Sequence, residues 1–79
     1  MFETKLFGTK LEIAYDVDRF GDVDFDSIEV FFAGTDRKMH RAMLQDPKWF
    51  VDGWSDVIEA VSIDFAAEMA EAGRNYYAA

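Results

Sequence analysis

The chain has 79 residues with a net charge of −8, from 16 acidic and 8 basic side chains, and 51% of it is hydrophobic and 16% aromatic. This length holds a single domain, residues 1–79, and the apolar content argues against a disordered chain. The negative charge disfavours direct binding to nucleic acid or anionic lipid. Solubility alone is one explanation of the charge, and attraction of a basic partner is the alternative.

Two short strands joined by a tight turn are predicted at the N-terminus. They are Phe2–Phe7 and Lys10–Asp16, with Gly8-Thr9 as the two-residue turn between them. In the second strand, apolar residues alternate with polar or small ones at the period of a half-buried strand. These apolar residues are Leu11, Ile13 and Tyr15. The first strand alternates less clearly, and a frayed terminus is its alternative interpretation.

A polar connection is predicted from Asp16 to Asp26, with a bend at Gly21. Its acidic residues are Asp16, Asp18, Asp22, Asp24 and Asp26. Its apolar residues, part of which are expected to fold back and pack, are Phe20, Val23 and Phe25. The acids approach the ligand spacing of a calcium-binding EF-hand loop, but the fifth and twelfth loop positions fall on Phe20 and Ser27. Since the twelfth position requires a bidentate glutamate, a solvated acidic loop is favoured.

Ser27–Phe32 has the clearest strand pattern in the chain, because β-branched and aromatic residues dominate it. Its alternate apolar positions are Ile28, Val30 and Phe32. We expect this strand to pair antiparallel with Lys10–Asp16 and to end in a turn at Ala33–Asp36.

A short helix is predicted at Arg37–Gln45, capped by Thr35 or Asp36. Its inward residues are expected to be Met39, Ala42 and Met43. Its outward residues are expected to be Arg37, Lys38 and Arg41. It ends before Asp46-Pro47, because proline disfavours helical geometry in the residue that precedes it.

The longest predicted element is an amphipathic helix over Pro47–Gly73. Asp46 is placed to cap it, proline suits its first position, and glycine suits its end. A break at Asp52-Gly53, with Ser55 as a second cap, is the alternative. Apolar residues recur along the helix at spacings of three and four. They are Phe50, Trp54, Val57, Ile58, Val61, Phe65, Met69 and Ala72.

These patterns predict an α+β fold, in which a small antiparallel β-sheet of two to three strands is followed by a short helix and a long amphipathic C-terminal helix. The long helix is expected to pack on the sheet. The predicted core is Leu11, Ile13, Tyr15, Ile28, Val30, Phe32, Trp54, Val57, Ile58, Val61 and Phe65.

Two rows of acidic residues are predicted along the long helix, taking about 100° per residue. Asp52, Asp56 and Glu59 group on the side opposite the core face. The second row, along one flank, is Asp64, Glu68 and Glu71. An ordinary solvated face is one interpretation. The other is phosphate mimicry, because carboxylates one helical turn of about 5.4 Å apart approach the spacing of about 7 Å between phosphates of a strand.

Four apolar residues also lie away from the predicted core face, namely Trp49, Ile63, Ala67 and Ala70. Such a group suggests an interface, either a homodimer that buries Trp49 and Ile63 or a contact with a target. The alternative is that the short helix or the Tyr76-Tyr77 tail covers them.

The sequence contains no pattern that predicts catalysis, a metal site or a cofactor. His40 is the single histidine and there is no cysteine, so neither a zinc site nor an activated nucleophile has its partners. There is no glycine-rich phosphate loop, no secretory signal and no apolar run long enough to span a membrane. We therefore expect a protein without catalysis or cofactor that does not contact a membrane and works in the cytoplasm.

The chain resembles the small acidic inhibitor proteins encoded by phages, of the DNA-mimic or anti-CRISPR type. The resemblance lies in its size, its acidity, its lack of cysteine and the order of a hairpin followed by helices. The residues that carry the resemblance are Asp16-Val17-Asp18, the run from Asp22 to Asp26 and the acidic rows of the long helix. These features are compositional. The resemblance implies a protein that inhibits a host nuclease or a CRISPR complex.

The leading functional hypothesis is a non-catalytic protein that docks on a basic surface of a host nucleic-acid-binding protein. Its expected contacts are Asp22, Asp24, Asp26, Asp52, Asp56 and Glu59, acting in place of phosphates. The alternative is a small structural or accessory oligomer of a phage or bacterium, whose acidity only keeps it soluble.

Overall fold

The fold combines an antiparallel sheet with a long C-terminal helix. The structure, a computed structural model, describes the backbone of residues 1–78 and the side chains of residues 1–72. Its elements are β1 (Phe2–Leu6), β2 (Thr9–Val17), β3 (Val23–Phe32), β4 (Lys38–Met39), α1 (Arg41–Leu44) and α2 (Gly53–Ala78). The four strands lie in the order β1-β2-β3-β4. The predicted α+β class is confirmed. The predicted count of two to three strands is wrong, because Lys38 and Met39 form a fourth strand after β3.

The first hairpin turns at Phe7-Gly8, one residue before the predicted Gly8-Thr9 turn. Phe7 and Gly8 have φ angles of 55° and 71°, as a two-residue type I′ turn requires. This conformation is unfavourable for an aromatic residue, and the Phe7 ring offsets it by packing against Phe50 with 4.5 Å between ring centroids. Because β1 pairs with β2 along its whole length, the N-terminal segment is a strand.

The acidic connection between β2 and β3 is shorter than predicted. The expected antiparallel pairing of the two strands is confirmed. However, β2 continues to Val17 and β3 begins at Val23, so the loop comprises only residues 18–22 and not Asp16–Asp26. The aspartates at the ends of the predicted connection are therefore strand residues.

Strand β4 and helix α1 replace the helix predicted over Arg37–Gln45. Lys38 and Met39 pair with β3, and only Arg41–Leu44 is helical. The long strand β3 offers an edge at this point, and Met39 becomes buried by joining it. Ala42, which was expected to face inward, is exposed.

Helix α2 has different ends from those predicted. It begins at Gly53 rather than at Pro47, and it continues through Gly73 to Ala78. Glycine permits the left-handed conformation that ends a helix but does not impose it. The predicted stop signal is therefore overridden.

The predicted start at Asp46 belongs to a separate single turn. The Asp46 carbonyl accepts the N–H of Phe50 at 3.2 Å, and its carboxylate accepts the N–H of Lys48 at 2.9 Å. The turn ends because Asp52 adopts a left-handed φ of 55°. The alternative break at Asp52-Gly53 is thus the correct one, although Ser55, which was expected to cap the second helix, lies inside α2.

The core lies between one face of the sheet and α2. Its buried residues are Leu11, Ile13, Ile28, Val30, Met39, Leu44, Val57 and Val61. Tyr15, Phe32 and Trp54 from the predicted core pack at its margin, and Ile58 and Phe65 are half-buried. Met39 and Leu44 join the core through β4 and α1, which the sequence patterns did not resolve.

The part of α2 from Ala66 to Ala72 does not pack on the sheet. Every side chain from Ala66 to Ala72 is exposed, including Met69 at 57%. The apolar stripe predicted along the helix therefore packs only in its first half.

Candidate functional site

The six acidic residues predicted to contact a partner fall into two groups. The loop group is Asp22, Asp24 and Asp26, which lie in the β2–β3 loop and on β3, all exposed. The helix group is Asp52, Asp56 and Glu59, of which the first lies just before α2 and the others on it. The two groups belong to different parts of the fold, so each is described separately.

The hairpin tip (residues 17–26) is held in shape by Asp18. Its Oδ1 accepts the backbone N–H groups of Phe20 at 2.8 Å and of Asp22 at 3.1 Å. The N–H of Asp18 donates to the carbonyl of Asp22 at 2.8 Å. Gly21 takes the φ of 82° that closes the loop. Asp18 therefore stabilises the tip. The sequence pattern did not indicate this role, because it showed only that the spacing of Asp18 resembles that of a metal ligand.

Phe20 is exposed at the hairpin tip, with 75% of its surface accessible, and Phe25 is 41% exposed. The guanidinium carbon of Arg19 lies 4.9 Å from the centroid of the Phe20 ring, a cation–π contact that favours one ring orientation. The expectation that part of this segment packs back is met by Val23, which contacts the core. Phe20 is a functional candidate that the acidic pattern alone did not single out.

A bulge interrupts the ladder between β2 and β3 beside the loop group. Ala14 pairs with Glu29, whereas Asp16 pairs with Asp24. Residues 25–28 of β3 therefore lie opposite a single residue of β2. Such a bulge bends the strand and redirects its side chains.

Ser27 bridges this bulge. Its Oγ accepts the N–H of Asp16 at 2.7 Å and donates to the carbonyl of Asp24 at 2.6 Å. Asp24 Oδ1 in turn accepts the N–H of Asp26 at 3.1 Å. These three bonds fix the backbone that carries two of the loop-group carboxylates.

Arg41 partly neutralises the loop group. Its Nη1 lies 3.1 Å from Oδ1 of Asp26, and its guanidinium carbon lies 4.4 Å from the ring centroid of Trp54. Both members of the ion pair are solvated, so it contributes at most about 1 kcal/mol to stability. Asp22 and Asp24 have no ion pair with the side chains of residues 1–72.

An open groove of about 490 Å³ lies between β1 and α2, and two of the helix group line it. Asp56 and Glu59 were expected opposite the core face, but they lie on the flank that faces β1. The carboxylates of this β1–α2 groove are Glu3, Asp56, Glu59 and Asp64. Its apolar lining includes Phe2, Leu6, Ala60, Ile63 and Ala67. The groove thus joins Asp64, from the second predicted row, to part of the first.

Asp64 also connects the helix to the sheet. Its Oδ2 accepts a hydrogen bond from the Tyr15 hydroxyl at 2.8 Å. The Tyr15 ring packs edge-on against Phe2 and Phe65, with ring centroids 6.1 and 6.4 Å away. Burial, the bond to Asp64 and the negative charges of Asp64 and Glu68 raise the pKa of Tyr15 above its ordinary value.

The apolar residues expected at an interface are uncovered. Trp49 is 63% exposed and Ile63 is 64% exposed, and Ala67 and Ala70 are exposed as well. Helix α1 therefore does not cover them. The side chains of Tyr76-Tyr77, the other predicted cover, lie outside the described residues.

The side chains of residues 1–72 include no group of three or more histidine, cysteine, aspartate or glutamate residues that could hold a metal ion. His40 is exposed, and its carbonyl accepts the N–H groups of Met43 and Leu44 at the start of α1. In the described backbone, no helix combines the length and the apolar character needed to cross a membrane.

Comparisons with protein-family models, with curated proteins and with solved structures gave no match. What the protein binds is therefore inferred from its own surface, on which the hairpin tip and the β1–α2 groove are the two distinctive features.

Proposed function

We propose that this protein is a non-catalytic inhibitor of the phage type, which docks on a basic surface of a host nucleic-acid-binding protein or complex in the host cytoplasm. The observation that carries the proposal is the hairpin tip, where the exposed Phe20 lies two residues before the first of the exposed loop-group aspartates. Binding energy concentrates in a few buried anchors, often aromatic, within a polar rim. Phe20 is the anchor, and the carboxylates around it complement lysine and arginine of the partner.

The charge of the whole chain supports a basic partner. Within residues 1–72, ion pairs engage only three of the 16 acidic side chains. The remaining carboxylates give the surface a negative potential, which accelerates association with a cationic surface at low salt. The same potential opposes direct contact with nucleic acid.

Imitation of DNA is the mechanism that the tip supports best. Asp22, Asp24 and Asp26 occupy every second position. The three carboxylates are exposed within a segment of five residues, so they present a dense negative charge, as the phosphates of a nucleic-acid strand do. An inhibitor of this type, including one directed at a CRISPR complex, occupies the channel that the partner uses for nucleic acid.

The second candidate is a small structural or accessory oligomeric protein of a phage or bacterium. The exposed side chains of Trp49 and Ile63 favour it, because large exposed apolar residues often mark interfaces. A homodimer must, however, overcome repulsion between two chains of charge −8. Sedimentation across a range of protein concentrations tests this candidate, and a monomer at high concentration and high salt would remove it.

Affinity capture from a bacterial lysate tests the main proposal. The tagged protein is expected to retain a nucleic-acid-binding protein, and both added salt and added duplex DNA should release it. The loop variant D22N/D24N/D26N should reduce recovery without unfolding the domain. Asparagine keeps the side-chain oxygen of Asp24 that accepts the N–H of Asp26, so the bulge is preserved.

Two further variants show whether position or total charge matters. The helix variant is D52N/D56N/E59Q. The control is D36N/E68Q/E71Q, which removes three charges from exposed positions outside the tip and the groove. Loss of capture with the loop variant but not with the control assigns the contact to the tip. Capture that is insensitive to salt, or unchanged by both the loop and helix variants, contradicts the proposal and favours the accessory protein.

A further inference from the structure

The outer edge of β1 is open. Within residues 1–78, β1 pairs only with β2. In an antiparallel ladder, residues of alternate pairs direct both backbone groups toward the partner strand, and the residues between them direct both away. The two-residue turn makes Leu6 and Thr9 a hydrogen-bonded pair. The N–H and C=O groups of Glu3 and Lys5 therefore point to the open edge.

The β1–α2 groove lies beside this edge. The small side chains of Ala60 and Ala67 leave space on the helical side of the groove. Ile63, which is 64% exposed, adds an apolar surface. Its carboxylates are Glu3, Asp56, Glu59 and Asp64, and no lining residue is basic. A backbone edge, an apolar surface and a uniformly negative rim thus meet in one place.

We propose that this groove binds an extended segment of a partner protein that carries arginine or lysine at every second position and adds to β1 as a further strand. Hydrogen bonds to the open edge hold its backbone. Alternate side chains of a strand share one face, so its basic residues all face α2. Their apolar stems cover Ala60 and Ile63, while their charged ends reach Asp56 and Glu59.

A second copy of this chain fits the groove less well than a basic segment does. Each copy carries a charge of −8, and any symmetric contact of the two grooves would set carboxylates against carboxylates. This site depends on the proposed function in one respect only, namely that the partner is basic. The hairpin tip takes no part in it.

A titration of the ¹⁵N-labelled full chain with a synthetic peptide tests this site. The probe is an acetylated and amidated octapeptide that alternates arginine with threonine. The control peptide has the same composition with its arginines in one block, so that its charge is equal but its alternation is lost. We expect the alternating peptide to shift the resonances of β1 and of residues 56–67 and to slow exchange of the Glu3 and Lys5 amides. Its affinity should fall as salt is added.

Two substitutions distinguish a strand-binding groove from general attraction of a cation. Lys5→Pro removes an N–H at the open edge without removing a β1–β2 bond. Because it also removes a positive charge, general attraction predicts tighter binding, whereas we expect Kd to rise roughly tenfold. Ala67→Trp fills the groove and should abolish binding. Ala66→Trp, at an exposed position outside the lining, should leave binding unchanged.

Equal binding of the two peptides, or unchanged binding by the folded Ala67→Trp variant, would overturn this proposal and assign the peptide to the diffuse acidic surface. Groove resonances that shift with protein concentration in the absence of peptide would overturn it in favour of a second copy. Peptide binding by the loop variant D22N/D24N/D26N separates the two proposals. If that variant loses lysate capture but still binds the peptide, the tip and the groove are independent sites.

Discussion

Tyr15 joins the sheet to α2 through a single hydrogen bond, and its removal tests how much that bond stabilises the fold. Tyr15→Phe keeps the ring contacts with Phe2 and Phe65 but loses the bond to Asp64. We expect the free energy of unfolding, measured in urea, to fall by roughly 1–2 kcal/mol, because the acceptor is charged and the site is half-buried. A change below a few tenths of a kcal/mol would show that water replaces the bond.

The same substitution has a consequence at alkaline pH. The pKa of Tyr15 in the folded chain is raised above the ordinary value of 10.0, so the folded state holds this proton more tightly than the unfolded state does. The resulting stabilisation is fully present below pH 10 and decreases as the pH rises through the folded pKa. The stability difference between wild type and Tyr15→Phe should therefore shrink above pH 10. Parallel curves for the two proteins would contradict this expectation.

Gly53 is required at the start of α2 because no space exists for a side chain. A methyl group there would lie 2.7 Å from Cβ of Phe50 and 3.0 Å from the carbonyl oxygen of Leu44. Alanine normally stabilises a helix relative to glycine by roughly 0.5–1 kcal/mol, but this overlap reverses the sign. We expect Gly53→Ala to lower the free energy of unfolding by roughly 1–3 kcal/mol. The exposed helical control Ser62→Ala should not destabilise the domain, and stabilisation by Gly53→Ala would disprove the close approach.

At the scale of elements, the strands with a regular alternation could be predicted and those set by tertiary contacts could not. The alternation along β2 and the second half of β3 gave both the pairing and the inward face. Strand β4 has two residues, too few for any period, and it forms because β3 offers an edge that buries Met39. The start of α2 at Gly53 follows from the left-handed φ of 55° at Asp52, whereas the local capping signals at Asp46-Pro47 favoured an earlier start.

The candidate sites also combine features that follow from local sequence spacing with features that depend on tertiary contacts. Helical geometry correctly brings Asp56 and Glu59 to one side of α2, because that depends only on their spacing. Their position facing β1 depends on how the helix is rotated on the sheet, which the sequence pattern placed differently. The exposure of Phe20 depends on the turn that Asp18 closes, whereas the sequence pattern placed that aspartate among the acids of a solvated loop.

The bulge of β3 is the element that positions the loop group, and Ser27 is its test. Ser27→Ala removes a hydroxyl that accepts from Asp16 and donates to Asp24. We expect the free energy of unfolding to fall by about 1 kcal/mol and the amide resonances of residues 24–26 to shift. Ser27→Thr keeps the hydroxyl and should restore both. Amide shifts confined to residue 27 itself would show that the bulge holds without this bridge.

At the scale of the whole molecule, the net charge and its distribution over the surface have different origins. The charge of −8 is a property of the sequence, whereas its division between the hairpin tip and the β1–α2 groove is a property of the fold. The molecule measures 49 × 25 × 21 Å along its principal axes, and α2 runs uncovered from Ala66 to Ala72. An elongated acidic body with an aromatic tip presents several surfaces to a partner at once, so identification of the contact should not depend on charge changes alone.

Replacement of exposed aromatic residues can make that identification. Phe20→Ala removes the proposed anchor, and its stability should be unchanged because Phe20 is 75% exposed. If the tip docks as proposed, Kd for the captured protein should rise about thirtyfold, which corresponds to about 2 kcal/mol for a central anchor. Trp49→Ala is the matched control, since Trp49 is an aromatic residue that is 63% exposed on another part of the surface. Loss of binding in Trp49→Ala but not in Phe20→Ala would move the interface away from the tip and favour the oligomeric accessory protein.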